Sequence, residues 1–172
     1  MLFRFFLNSH SKAHLRGLAE EFGESTNAIR HELNNLSEAG YLLANGKGNI
    51  IQYSANTNHP LYPELKNLIR KYAGIDKIIE NIVANAITRV GALEMAFITG
   101  DYAKGKDSGI IDLVLVGSIN QQNLLNYVAK AEKLIDRRIR TLVLTPQEFE
   151  KNKKSLDSEV ALWLWQRDKG LF

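Results

Sequence analysis

The carboxylates of the second half of the chain are the side chains best suited to chemistry, and their spacing limits what that chemistry can be. The stretch Phe97-Ile-Thr-Gly-Asp-Tyr-Ala-Lys-Gly105 is followed by Ile111-Asp-Leu-Val-Leu-Val-Gly117. Two acids at i and i+2 on a strand project to one face, where they can share the divalent metals of phosphoryl transfer. The triplet here is Ile110-Ile111-Asp112, which supplies one acid of such a pair. Magnesium sites of this kind use one or two carboxylates plus the substrate's phosphates, so a single acid leaves poor occupancy. Asp107 stands five residues before Asp112, odd spacing for a shared strand face, and Asp101 follows the turn glycine Gly100, where its charge would repel any phosphate group. Lys104 and Lys106 could hold an anion, although a solvated loop is the simpler account. The expectation is no catalytic residue, no metal site and no cofactor. The four histidines, His10, His14, His31 and His59, show no ligand spacing with carboxylate support, and the absence of cysteine excludes thiolate sites and disulfides.

These acids have to be positioned by strands. Residues 93–99, 110–116 and 139–145 are strand candidates, the last two nearly continuous apolar or β-branched runs, as expected when helices cover both faces or a strand lies centrally. Residues 123–135 carry Leu124, Leu125, Val128, Ala131, Leu134 and Ile135 and read as a helix between two of them. Thr145-Pro-Gln-Glu148 is a helix start, with Thr as cap, Pro in the first turn and Glu at the third helical position. Residues 158–166 read as a last helix bearing Trp163 and Trp165, whose two-residue spacing would send them in different directions, one to the core and the other to an interface or a ligand-stacking surface.

This order resembles a minimal nucleotidyltransferase over residues 90–172. That family writes Gly-Ser on the turn after its first strand and Asp-x-Asp-Leu on its second, and the Thr-Pro-x-Glu-Phe phrase at Thr145 to Phe149 also fits. The resemblance implies that Gly100 and Asp101 stand where Gly-Ser holds nucleotide phosphates and Asp112 where the second metal acid stands, with Ile110 replacing the first. The third strand, Arg140-Thr-Leu-Val-Leu144, offers no acid either. The implied state is a degenerate nucleotide site, Gly100, Asp101 and Asp112, in a domain retired from catalysis.

The first 56 residues show a different pattern. Leu2, Phe3, Phe5, Phe6 and Leu7 make a short helix apolar on nearly every face, which calls for burial or a partner chain. Ser9 or Ser11 could cap a second helix with Leu15, Leu18, Ala19 and Phe22 at helical spacing, closed by Gly23. Ser25-Thr26 caps a third, with Ile29, Leu33 and Leu36 as its stripe and Gly40 as its stop. Residues 41–44 and 50–54 are short strands around Asn45-Gly-Lys-Gly-Asn49, a hairpin with a lysine at its tip. The order resembles a winged helix of the ArsR-related regulators, and Leu36-Ser-Glu-Ala-Gly-Tyr-Leu42 is similar to their junction between recognition helix and wing. With Ile29, Leu33 and Leu36 inward, Thr26, Asn27, Arg30, His31 and Asn34 face outward, where the resemblance puts them in a DNA major groove. Lys47 and Asn49 on the wing would touch the neighbouring backbone or minor groove, and Lys12, His14 and Arg16 are further phosphate candidates.

The fold expectation is thus α+β: a winged helix-turn-helix over residues 1–56, a helical connector over 57–89, and a nucleotidyltransferase-like domain over 90–172. In the connector, His59-Pro-Leu-Tyr-Pro-Glu-Leu65 resembles a recurring join between those two modules. Leu65, Leu68 and Ile69 continue it at helical spacing, and Ile75, Ile78, Ile79, Ile82 and Val83 make a second stripe after Gly74. The first 75 residues hold 8 Lys/Arg against 6 Asp/Glu, so any DNA footprint must come from arrangement, not net charge. Nothing approaches ~18 consecutive apolar residues, so no membrane partner and a cytoplasmic location are expected. The function expected is a DNA-binding transcriptional regulator, not an enzyme. It would act on double-stranded DNA as a homodimer, its second domain serving dimerisation, partner binding or the sensing of a small-molecule or protein effector. Metal-dependent nucleotidyl transfer of the antitoxin-like type, and a scaffold binding neither DNA nor nucleotide, are the alternatives.

Overall fold

Apolar runs cut by glycines build the first of two units, Met1–Ile69 and Arg70–Phe172, in the computed structural model, which describes residues 1–47, 50–87, 91–156 and 160–172. Helix α1 (Leu2–Phe6) drives Phe5, Phe6 and the following Leu7 fully into the core. Strand β1 (Lys12–His14) leads into α2 (Leu15–Phe22), which ends because Gly23 adopts φ +65°, a left-handed conformation that closes a helix at little cost for glycine. Helix α3 (Thr26–Glu38) begins on Ser25, whose Oγ accepts from the Ala28 N–H at 3.1 Å. Strands β2 (Leu42–Lys47) and β3 (Ile50–Ala55) then form a hairpin. The three strands make an antiparallel sheet in the order β1-β3-β2. Helix α4 (Tyr62–Tyr72) follows, and its Tyr62 ring lies 5.8 Å from that of Phe6.

Two expectations for this unit need correction. Lys12 and His14 belong to a strand, not to the opening of a helix: they pair with Ser54 and Gln52, while Ala13 between them is buried. Asn45, Gly46 and Lys47 do not turn. They continue β2 opposite Gln52, Ile51 and Ile50, because the ladder's backbone hydrogen bonds outweigh the local turn preference of Asn-Gly. The reversal itself, with Asn49 and the side chain of Lys47, lies outside the described residues.

The second unit opens with α5 (Ile75–Ile78), which passes into a π-helical segment, Ile79–Val83, and buries Ile75, Ile78, Ile82 and Val83. Its sheet contains β4 (Gly91–Thr99), β5 (Ile110–Ile119), β6 (Arg138–Leu144), β7 (Leu162–Gln166) and β8 (Gly170–Leu171) in the order β6-β5-β4-β7-β8. Among the described strands the β5–β6 pair alone is parallel, and α7 (Gln121–Ile135), capped by Asn120, makes its crossover. A four-residue helix, α6 (Gly100–Ala103), follows β4 directly. Helix α8 (Pro146–Asn152) carries the full capping box of Thr145 and Glu148. One face of the sheet buries Phe97, Val114, Val116 and Phe149, with Met95, Leu144 and Trp163 packed against them.

The last expected helix is a correction as well. Residues 162–166 are strand β7, paired antiparallel with β4, because that edge of the sheet offers backbone partners to an extended run of alternating Leu and Trp. A register shift skips Leu164, so Trp163 pairs with Phe97 and Trp165 with Ala96. Neighbours along β4 point to opposite faces, so the two tryptophans do too, although on a regular strand they would share a face.

Candidate functional site

The acids of the second unit are fixed by the β4–β5 turn and by two arginines. Thr99, the last residue of β4, pairs with Asp112 on β5, and Asp112 pairs in turn with Arg140 on β6. Gly100 adopts φ +70°, and a Cβ there would lie 2.7 Å from Asp112 Oδ2. The turn glycine and the strand acid are therefore in contact, and only a residue without a side chain admits the carboxylate. Asp101 is exposed at the start of α6, and its carbonyl accepts from the N–H groups of Lys104 and Lys106 at 3.0 Å each.

Asp112 is engaged by a cation of its own chain. Arg140 Nε donates to Oδ1 at 2.7 Å and Nη2 to Oδ2 at 3.0 Å, the forked geometry that matches a guanidinium to a carboxylate. The pair is open to water, with the arginine side chain 69% exposed, so it is screened and readily exchanged. Ile110, two residues before Asp112 and on the same side of the strand, is partly exposed.

Asp107 points elsewhere. Its carboxylate accepts from Arg137 Nη2 at 2.6 Å and from Nε at 3.1 Å, and Oδ1 also accepts from the Gly109 N–H at 3.1 Å. Arg137 lies over the rings of Tyr72 and Tyr102, with its guanidinium carbon 5.4 Å and 5.9 Å from their centroids. Tyr102 is fully buried and donates to the Ala73 carbonyl at 2.6 Å, and burial pushes its hydroxyl pKa up. Asp107 thus anchors a loop to this aromatic–arginine stack and does not join Asp112.

The hydrogen bond from Arg137 holds the Asp107 carboxyl below the usual carboxylate range. A depressed folded-state pKa stabilises the fold above the unfolded value, and that share disappears as pH falls through the folded value. Stability measured by urea unfolding is therefore expected to drop as pH falls below ~4. Asp107→Asn is expected to lack this part of the drop. An unchanged pH profile in the variant would contradict the pairing.

In the first unit, Thr26, Asn27, Arg30, His31 and Asn34 are all exposed along one side of α3, while Ile29 and Leu33 are buried on the other. Their contacts stay on the helix surface: Arg30 Nη1 donates to Asn27 Oδ1 at 3.3 Å, and Asn35 and His31 meet at 3.1 Å. Beside this face is a cleft of about 660 Å³ lined by His14, Arg16, Arg30 and Asn34 and by Ile50 and Ile51, with no carboxylate among the described residues of its wall. The two isoleucines are 56% and 51% exposed. Their place in a strand is legible from sequence, but their exposure is not, because it depends on β3 running past the edge of the small core.

Among the described residues no three His, Asp or Glu side chains gather to hold a metal ion, and no helix is long and apolar enough to cross a membrane. The arginines of the second unit were the missed partners. The sequence offered Arg140 only as a missing acid, and its place opposite Asp112 comes from the register of a parallel pair.

No family model and no curated protein matches the chain. A solved structure from Sulfolobus solfataricus, described as a "putative nucleotidyltransferase", is similar at 23% identity over 58% of this chain and 93% of that one, with a TM-score of 0.35. The chain is a mixed α and β protein. That description names an enzyme, against the expectation that this chain is not one.

Proposed function

We propose that the first unit is a winged helix that reads double-stranded DNA, and that the protein is a DNA-binding transcriptional regulator. The observation that carries the reading is the division of α3: Ile29 and Leu33 are buried while Asn27, Arg30, His31 and Asn34 project together into solvent. A helix of this kind, entered by a tight turn from α2 and flanked by a hairpin, has the proportions to lie in a major groove. Arg pairs bidentately with guanine and Asn with adenine, so this face has base-reading groups as well as a cation. The wall of the adjoining cleft adds His14 and Arg16 for phosphates and, among its described residues, no opposing acid. Lys47 and Asn49 are assigned to the wing's contacts with the backbone or minor groove. The nucleotidyltransferase-like unit serves dimerisation, partner binding or the sensing of a small-molecule or protein effector.

Selection of binding sites from random duplexes, followed by affinity measurements at stepped salt, tests the reading. Arg30→Ala is expected to cost about 1–3 kcal/mol on the selected site and to relax preference at one base pair. Lys47→Ala is expected to weaken all sequences alike and to flatten the salt dependence. Affinity that does not fall with salt, or a sequence preference that survives Arg30→Ala, would remove the proposal.

A further inference from the structure

We propose that the free edge of β6 seats a second copy of this chain, the two β6 strands pairing antiparallel about a two-fold axis through Leu142. The inference does not depend on DNA binding. Strand β6 ends the sheet and pairs only with β5 among the described strands. The Arg138 N–H donates to the Gly109 carbonyl at 3.0 Å, and the parallel register runs from Ile110↔Arg138 to Val116↔Leu144. In a parallel pair, alternate residues turn both backbone groups to the same neighbour. Arg138, Arg140, Leu142 and Leu144 therefore serve β5, and Ile139, Thr141 and Val143 face outward. The Ile139 N–H is already taken by Glu132 Oε1 at 2.8 Å. Thr141 and Val143 keep outward N–H and C=O groups with no partner among the described residues.

Two such residues at i and i+2 are complementary to themselves. Antiparallel pairing about the residue between them sets Thr141 against the partner's Val143 and Val143 against the partner's Thr141, which makes four hydrogen bonds. Leu142, 43% exposed, then meets its own copy at the axis. On the opposite face Leu125 of α7, 57% exposed, lines a groove with Thr141 and Val143 and is covered in the same step. The charges agree with this register. Centred on Leu142, Arg140 falls opposite the partner's Leu144, whereas centring on Arg140 would place two guanidiniums together. Glu132 disfavours registers that need the Ile139 amide. An uncovered seven-residue edge without proline is an aggregation hazard, and a symmetric partner removes it.

The chain has no cysteine, so Leu142→Cys introduces a single thiol. Under mild oxidation it is expected to form a disulfide-linked dimer, because the pair at the axis is non-hydrogen-bonded, with Cα atoms about 4.5 Å apart, within the span of a disulfide. Leu68→Cys, on a 62% exposed position of α4, is expected to remain unlinked under the same conditions. Thr141→Pro removes an outward donor without touching the β5 ladder, and Leu142→Lys places a charge on the axis. Both are expected to sediment as monomers at concentrations where the parent is a dimer, and Leu142→Lys decides if Thr141→Pro does not fold. A parent that stays monomeric, Leu142→Cys linking no faster than Leu68→Cys, or a dimer that Leu142→Lys leaves intact would each overturn the proposal. Capture of a foreign strand by a monomeric parent falls under the first of these.

Discussion

Gly117→Ala is expected to lower the melting temperature of the second unit by on the order of 20 °C, from a cost of about 3–5 kcal/mol. Gly117 lies in β5 opposite Leu93 with φ +143°, a backbone region that side chains essentially forbid. A Cβ at this position would sit 2.1 Å from the Ala92 carbonyl oxygen and 3.1 Å from Leu93 Cα. Both obstacles are backbone, so no rotamer change relieves them, and β4 or β5 must move. The register shift between Leu93 and Met95 is directly opposite, so the glycine belongs to the irregularity that bends this pair of strands. Gly109→Ala separates the two contributions. Gly109 also has positive φ, +74°, but nothing lies within 4 Å of its added Cβ, so only a backbone cost of about 1 kcal/mol is expected. The two tryptophans, Trp163 and Trp165, both belong to the second unit, so their fluorescence follows its unfolding alone. A Gly117→Ala protein that melts no lower than Gly109→Ala would show that β4 yields at little cost.

What could be read from the sequence was mostly local. The Ser25 cap, the Gly23 stop and the Thr145–Glu148 capping box are each set by a few neighbouring residues, and each takes its expected form. Elements that exist only through pairing were missed or misplaced. Strand β1 has three residues, too few for any periodicity, and forms because β3 offers it an edge. Residues 162–166 are apolar at nearly every position, so no period separates strand from helix, and β4 decides. The same limit applied to the site. Gly100 and Asp112 could be named as neighbours of one turn, but the partners of the acids could not. Arg140 reaches Asp112, and Arg137 reaches Asp107, across 28 and 30 residues of chain. Those distances close only when β6 takes its register beside β5 and α7 delivers Arg137 to the loop.

The double variant Ile110→Asp, Arg140→Ala is expected to bind Mn²⁺ at least ~10-fold tighter than the parent, since it converts a half-set of ligands into a pair. Ile110 and Asp112 are two apart on β5, so an aspartate at 110 projects on the side of the existing acid. Ile110 is already 37% exposed, so the replacement buries no charge. In the parent both oxygens of Asp112 are occupied by the Arg140 fork, at 2.7 Å and 3.0 Å, and a metal ion has to displace it. Either single change should fall short of the pair. Arg140→Ala frees Asp112 but adds no ligand, and Ile110→Asp adds a ligand while leaving the guanidinium in competition. The two effects are therefore coupled, and the four proteins form a double-mutant cycle whose interaction energy measures how far Arg140 stands in for the cation. Gly100 has to be kept in all four, because a side chain there would fill the space now held by Asp112 Oδ2. Titration followed by the loss of free Mn²⁺ signal in electron paramagnetic resonance gives the affinities directly. Equal affinity in the parent and the double variant would mean that Asp112 and residue 110 do not converge on one ion, and that the acid at this turn is tied to Arg140 for the stability of the strand pair alone.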